Sequence, residues 1–373
     1  MIESIAERIV NAQIRKPKSF LLVFGILALL IIPGILNLVG NVEPSLEKVL
    51  PQDIDEVKTM NNMRTQFGAD MIYLLVHNEG LVIDSRDPAI LEYIDILAEK
   101  IRSSDHIEDV ETITDLVKRM NGGIIPSSLN GVKELLSANP FTPQFTNKDY
   151  SFSIIRIKSD TGASAGLISD VVNGIKEDIE NVEEFNPGSR IEITGFNAID
   201  KATFEVIMSD FAFITLVSMI LVGIVVFITF RSFVKGMLPM IVVINALLWT
   251  MGITGYLGLT ITVVSMVAAA MIMGLGIDFG IHVVHSYFEM RKKKNSEDSL
   301  RGVMKELLRA MVGASLTTIA GFLALLFGVL PAMKNLGIIL ALGIFNTLIG
   351  AVFLLPVIVY LYDKRKIKVS SRR

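Results

Sequence analysis

No cysteine occurs among the 373 residues. Disulfide staples, thiolate metal sites and cysteine nucleophiles are therefore excluded. Histidine is nearly as scarce, with His77, His106, His282 and His285 the only four. No H-E-x-x-H and no histidine-centred triad is evident, so a soluble-type hydrolase is the least favoured class. His77 and His106 read as exposed positions at strand ends. No basic surface interleaved with aromatics is visible either, which argues against nucleic acid as a partner. Lys and Arg are missing from the depth of every long apolar run, and those runs contain a single acidic residue, Asp278.

What the chain does have is apolar length. Its composition is 51% hydrophobic, with a mean hydropathy of +0.54. Six stretches, near 19–39, 211–230, 236–257, 261–288, 310–330 and 335–362, can each cross a hydrocarbon core of about 30 Å, which takes about 20 helical residues. The first is too long for a signal-peptide core and reads as a retained anchor. Charge is segregated: residues 40–205 hold 15 Lys and Arg against 29 Asp and Glu, and the rest of the chain holds 20 against 9. The basic clusters Arg15/Lys16/Lys18, Arg231/Lys235, Arg291–Lys294 and Lys364–Arg373 fall in alternate connections. Cytoplasmic loops are enriched in Lys and Arg, so the pattern predicts a multi-pass protein of the plasma membrane with both termini cytoplasmic. It divides the chain into an amphipathic cytoplasmic helix (1–18, with Ile2, Ile5, Ile9 and Ile14), helix 1 (19–39), an extracytoplasmic domain (40–205), helices 2–6 (206–363) and a basic tail (364–373). A second amphipathic helix is expected over 296–313, with Ser296 as its cap.

Within 40–205 the apolar period alternates between two and 3.6. Strands are expected at 71–78, 106–113, 150–159 and 190–196, with helices at 88–104 and 165–181. Two β-α-β units in tandem predict a split-βαβ, ferredoxin-like α+β domain inserted between helices 1 and 2. The intervening segment 118–149, rich in Gly, Pro, Ser and Asn, is either a connector or a mobile arm, with a short helix at 131–137.

Asp278 is the most informative residue. An aspartate at the bilayer centre costs roughly 2.5–3.5 kcal/mol on insertion scales, and such a group is a functional-site hypothesis by default. His282 lies four residues on, on the same helical face, and His285 continues the stripe, although His285 reads first as an interfacial residue among headgroups. Gly276 and Gly280 form a small-xxx-small pair expected to bring another helix close and keep lipid from the carboxylate; Gly274 and Phe279 complete the surroundings. Hydroxyls of Thr317 and Thr318 can both accept and donate a proton. Asn245, Ser315, Asn346 and Thr347 are further polar residues that could face the carboxylate or merely join helices. A metal set of Asp278, His282 and His285 lacks a fourth ligand.

The segment GLGIDFGIHVVHSYFEMR (274–291) resembles the span 4 motif of the MMPL-type branch of the resistance–nodulation–cell division superfamily. FRSFVKGMLPM (230–240) resembles that family's turn between spans 2 and 3, and SLTTIAGFLALLF (315–327) its span 5 signature. One span, a large domain and five more spans is its half-unit plan. The resemblance implies a transporter driven by proton influx, moving lipids or other hydrophobic or amphiphilic compounds, with Asp278 at the relay position and no cofactor. Two departures stand out. Phe279 replaces the family's common tyrosine, and only one half-unit is present, which points to a homodimer or a separate partner chain. A protein-translocation accessory of the SecD/SecF kind and a lipid sensor without transport are the alternatives.

Overall fold

Among the described residues, six helices are long and apolar enough to cross a membrane: Pro17–Leu38, Phe196–Phe230, Phe233–Tyr256, Val263–Met290, Ser296–Phe327 and Pro331–Arg365. The structure, a computed structural model, describes residues 2–40, 42, 49–67, 71–78, 84–161 and 165–370. Arg372 and Arg373 of the basic tail lie outside them. The chain divides into two units, Met1–Pro51 with Val206–Arg373, and Gln52–Glu205.

The helical unit begins with α1 (Ile2–Arg15) and α2 (Pro17–Gly40). It was expected that α1 would lie on a membrane surface with its isoleucines down. Instead it packs on the bundle: Ala6 and Val10 are buried in a cluster with Leu300, Val303 and Val359, Ile9 and Ile14 pack against that cluster, Gln13 is buried as well, and Ile5 is exposed. The reason is a hydrogen bond that sequence periodicity does not reveal. The last span contains a π-helical turn, Gly350–Leu354, followed by Pro356. Proline has no N–H, so the carbonyl four residues earlier, that of Val352, loses its helical donor. Gln13 Nε2 donates to that carbonyl at 2.8 Å. Replacing Gln13 with Leu should leave the carbonyl buried and unpaired, costing about 1–3 kcal/mol; a lowered thermal midpoint of the purified protein checks this, and an unchanged midpoint counts against the pairing.

The α+β unit contains α3 (Asp55–Phe67), β1 (Met71–Asn78), α4 (Pro88–Arg102), β2 (Ile107–Glu111), α5 (Ile113–Met120), α6 (Leu129–Ser137), β3 (Phe152–Ser159), α7 (Ala165–Asn181) and β4 (Ser189–Gly195). The strands form one antiparallel sheet in the order β2-β3-β1-β4, with Leu74 opposite Ile155 and Ile193. Alternate residues of β1, Ile72, Leu74 and Val76, are fully buried against Ile94, Leu97 and Ile101 of α4 and Val172 and Ile175 of α7. The segment 118–149 is a packed part of this core, because Val132, Leu136 and Phe145 are buried in it.

Asp84 ties the approach to α4 onto α6. Burial pushes its carboxyl up, but the side-chain and backbone hydrogen bonds of Arg86 and the Lys133 ammonium outweigh burial and hold it at about 2. A depressed carboxylate stabilises the fold above its unfolded value, about 4, and the gain vanishes as the pH falls through the folded value. Asp84→Asn should therefore cost up to about 2 kcal/mol at neutral pH and almost nothing below about pH 2, as read by urea unfolding at the two pH values.

The chain returns through α8 (Phe196–Phe230), α9 (Phe233–Tyr256), α10 (Ala268–Met290), α11 (Ser296–Leu323), α12 (Pro331–Ile349) and, after the π turn, α13 (Leu355–Ser370). The amphipathic stretch 296–313 is the first half of α11 rather than a separate helix. Its cap is Asn295, whose side chain accepts from the Asp298 N–H, not Ser296.

Candidate functional site

The two faces of α10 have opposite fates. Gly276, Ile277, Gly280, Val283, Val284 and Tyr287 are buried, whereas Met271, Leu275, Asp278, His282 and His285 form an exposed stripe. The glycines explain the buried side. A Cβ on Gly276 would stand 2.8 Å from Thr347 Oγ1 of α12, and one on Gly280 would stand 2.9 Å from Pro239 of α9. Successive helical residues turn by about 100°, so Asp278, two residues from each glycine, points away from both contacts. The expectation that this pair would shield the carboxylate is thus corrected: the close approach seats the back of α10 and leaves Asp278 on the open face. Gly274 meets no neighbour within 4 Å.

On that open face lies a groove of about 410 Å³ between α10 and α11. Leu275, Asp278, Phe279 and His282 form one wall, Met311, Ala314 and Thr318 the other, and Ile344 of α12 contributes as well. Asp278 has no hydrogen-bond or ion-pair partner among the described residues. Thr318 donates to the Ala314 carbonyl at 2.9 Å, which leaves its oxygen free to accept. Thr317 makes a similar bond to Ala314 at 2.9 Å but does not line the groove. His285 lines a separate cavity with Lys235 and Glu289, so the histidine stripe is divided between two recesses. Asn346 donates to Thr250 at 3.0 Å, joining α12 to α9. Ser315 Oγ and Asn245 Oδ1 are buried without a partner among the described residues.

One constellation escaped sequence reading. Asp363 of α13 accepts from Tyr287 (3.0 Å), Arg291 Nε (2.6 Å) and Ser296 Oγ (2.5 Å). It locks the C-terminal end of α10 to the start of α11 and to α13, and so fixes the register of the Asp278 face. An acid within the otherwise basic run DKRKIK (363–368) was the available signal. The turn FRS (230–232) also has a physical role: Arg231 takes a positive φ of 48° between α8 and α9. A further sequence feature belongs to the α+β unit: residues 162–166 have the G-x-S-x-G spacing of a nucleophile elbow, and Ser164 lies outside the described residues.

Comparison with known proteins agrees with the architecture. A family model described as the MMPL family matches residues 48–373. The membrane protein MJ1562 of Methanocaldococcus jannaschii is 30% identical over 381 residues, which cover 100% of this chain and 97% of that protein. The membrane protein ActII-3 of Streptomyces coelicolor is 26% identical over 177 residues, 46% of this chain but 24% of that protein. With six helices among the described residues long and apolar enough to cross a membrane and a family match over most of its length, the chain belongs to the MMPL family of multi-pass membrane proteins.

Proposed function

We propose that this protein is a proton-driven exporter of lipids or other hydrophobic or amphiphilic compounds that works as an oligomer of half-units. The observation that carries the reading is Asp278: the one acid deep in the spans, unpaired among the described residues, on an exposed helix face beside His282 and Thr318. A carboxylate facing lipid is costly. A second copy laid over this face removes that cost and places two aspartates in one water-accessible seam, where each can load and release a proton. His282 stands in the groove where the family's tyrosine is replaced by Phe279. The sheet order β2-β3-β1-β4 with two β-α-β units supports a ferredoxin-like porter unit, and the alternation of basic connections supports its extracytoplasmic placement with both termini inside.

The test is flux. Purified protein is reconstituted in proteoliposomes, and the lipids that co-purify with it are identified by mass spectrometry and followed under an imposed pH gradient with an internal pH dye. Substrate movement coupled to proton influx supports the proposal. Binding without net movement would instead support a lipid sensor, and co-purification with the protein-secretion channel a SecD/SecF-like accessory.

A further inference from the structure

A second groove, of about 840 Å³, lies between α1, α2, α9 and the π turn of the last span. It has two chemically distinct ends. Arg8, Asn11 and Arg15 stand on one stripe of α1, followed by Lys16 and Ser19. All five are exposed, and no carboxylate among the described residues pairs with the three cations. The stripe is held outward because the opposite side of α1, Ala6, Val10 and Gln13, is anchored in the bundle. The other end of the groove is apolar, walled by Phe20, Phe24, Leu27, Trp249 and Phe353. Phe24 and Trp249 stack at 5.1 Å between ring centroids. Trp249 is 7% exposed, and its indole N–H meets no acceptor among the described residues.

The dimensions match one amphiphile. From Lys16 to Leu27 is a helical rise of about 16 Å, close to one leaflet of a hydrocarbon core about 30 Å thick. Guanidinium groups present paired donors to phosphate oxygens, and the apolar wall accepts acyl chains. We infer that this groove holds an anionic phospholipid of the adjacent leaflet, its phosphate on Arg8, Arg15 and Lys16 and its chains along Phe20, Phe24 and Leu27. The site is separate from the Asp278 face and stands whether or not that residue moves protons.

Trp249 is the only tryptophan, so the protein carries its own probe. The full-length chain is reconstituted in phosphatidylcholine vesicles containing increasing fractions of chain-brominated phosphatidylglycerol or chain-brominated phosphatidylcholine. The groove predicts that phosphatidylglycerol quenches Trp249 with an apparent association about tenfold stronger. The triple variant R8Q/R15Q/K16Q should bring the ratio close to one, while K292Q/K293Q/K294Q, which removes the same charge elsewhere, should preserve it. Equal quenching by the two lipids in the unmodified protein overturns the inference. So does a preference that survives the first triple variant, or one that the second abolishes equally. If R8Q/R15Q/K16Q does not fold, the comparison in the unmodified protein decides alone.

Discussion

Asp278→Asn is expected to reduce gradient-driven transport by about a hundredfold or more, the scale on which a positioned acid–base group acts, and to leave the fold intact. Both halves of the expectation follow from geometry. Asparagine keeps the shape of the side chain but cannot load and release a proton. Asp278 has no hydrogen bond or ion pair among the described residues, so no structural bond is lost, and removal of a charge from a membrane helix is neutral or favourable for stability. The measurement pairs substrate flux in proteoliposomes with the thermal midpoint of the same preparation. Normal flux in the variant would contradict the relay role. Lost flux together with a collapsed midpoint would place Asp278 among structural residues instead. His282→Ala, in the same groove, should slow transport less, because the histidine can be bypassed by water.

The second large effect concerns the seam between α2 and α9. Here two backbones approach each other with no side chain between them. A Cβ added at Gly255 would collide with the Gly34 carbonyl oxygen, and one at Gly34 with the Gly252 carbonyl oxygen and, at 2.8 Å, the Tyr256 ring. Both obstacles include backbone of a packed helix, which cannot rotate aside. Gly255→Ala must therefore separate the helices, and it should destabilise by about 3 kcal/mol, seen as a thermal midpoint lower by about 5 °C. Gly274→Ala provides the contrast. With no atom within 4 Å of its Cβ, it should be neutral or mildly stabilising, since alanine favours helix by about 1 kcal/mol over glycine. If the two variants unfold at the same temperature, the tight seam is wrong.

These predictions separate what is legible in sequence from what is not. The six spans were legible because hydropathy needs no knowledge of neighbours. The four strands and the helices α4, α6 and α7 of the α+β unit were legible because their apolar periods are local, whereas α3 and α5 were not among the expected elements. The shared face of Asp278 and His282 also follows from spacing alone. Which face of α10 would be covered did not follow, because glycine pairs mark close approach without saying on which side a carboxylate two residues away will stand. The same limit applies to Gln13 and Val352, to Asp363 with Tyr287 and Ser296, and to Gly34 with Gly255. Each pairing joins residues tens to hundreds of positions apart, where no local pattern records the match. Pro356 illustrates it: a proline announces a carbonyl without a donor but not where the new donor comes from.

The stripe carrying Asp278 is expected to be closed by a second copy of the chain rather than by lipid. The absence of cysteine makes this directly measurable. A single cysteine is placed at Leu275, which is 42% exposed and lines the Asp278 groove, and in a separate variant at Val225 of α8, which is 59% exposed. Membranes bearing each variant are treated with a mild oxidant. The account predicts covalent dimers from the Leu275 position and monomers from Val225. Monomers from Leu275, or equal cross-linking at both positions, would contradict it.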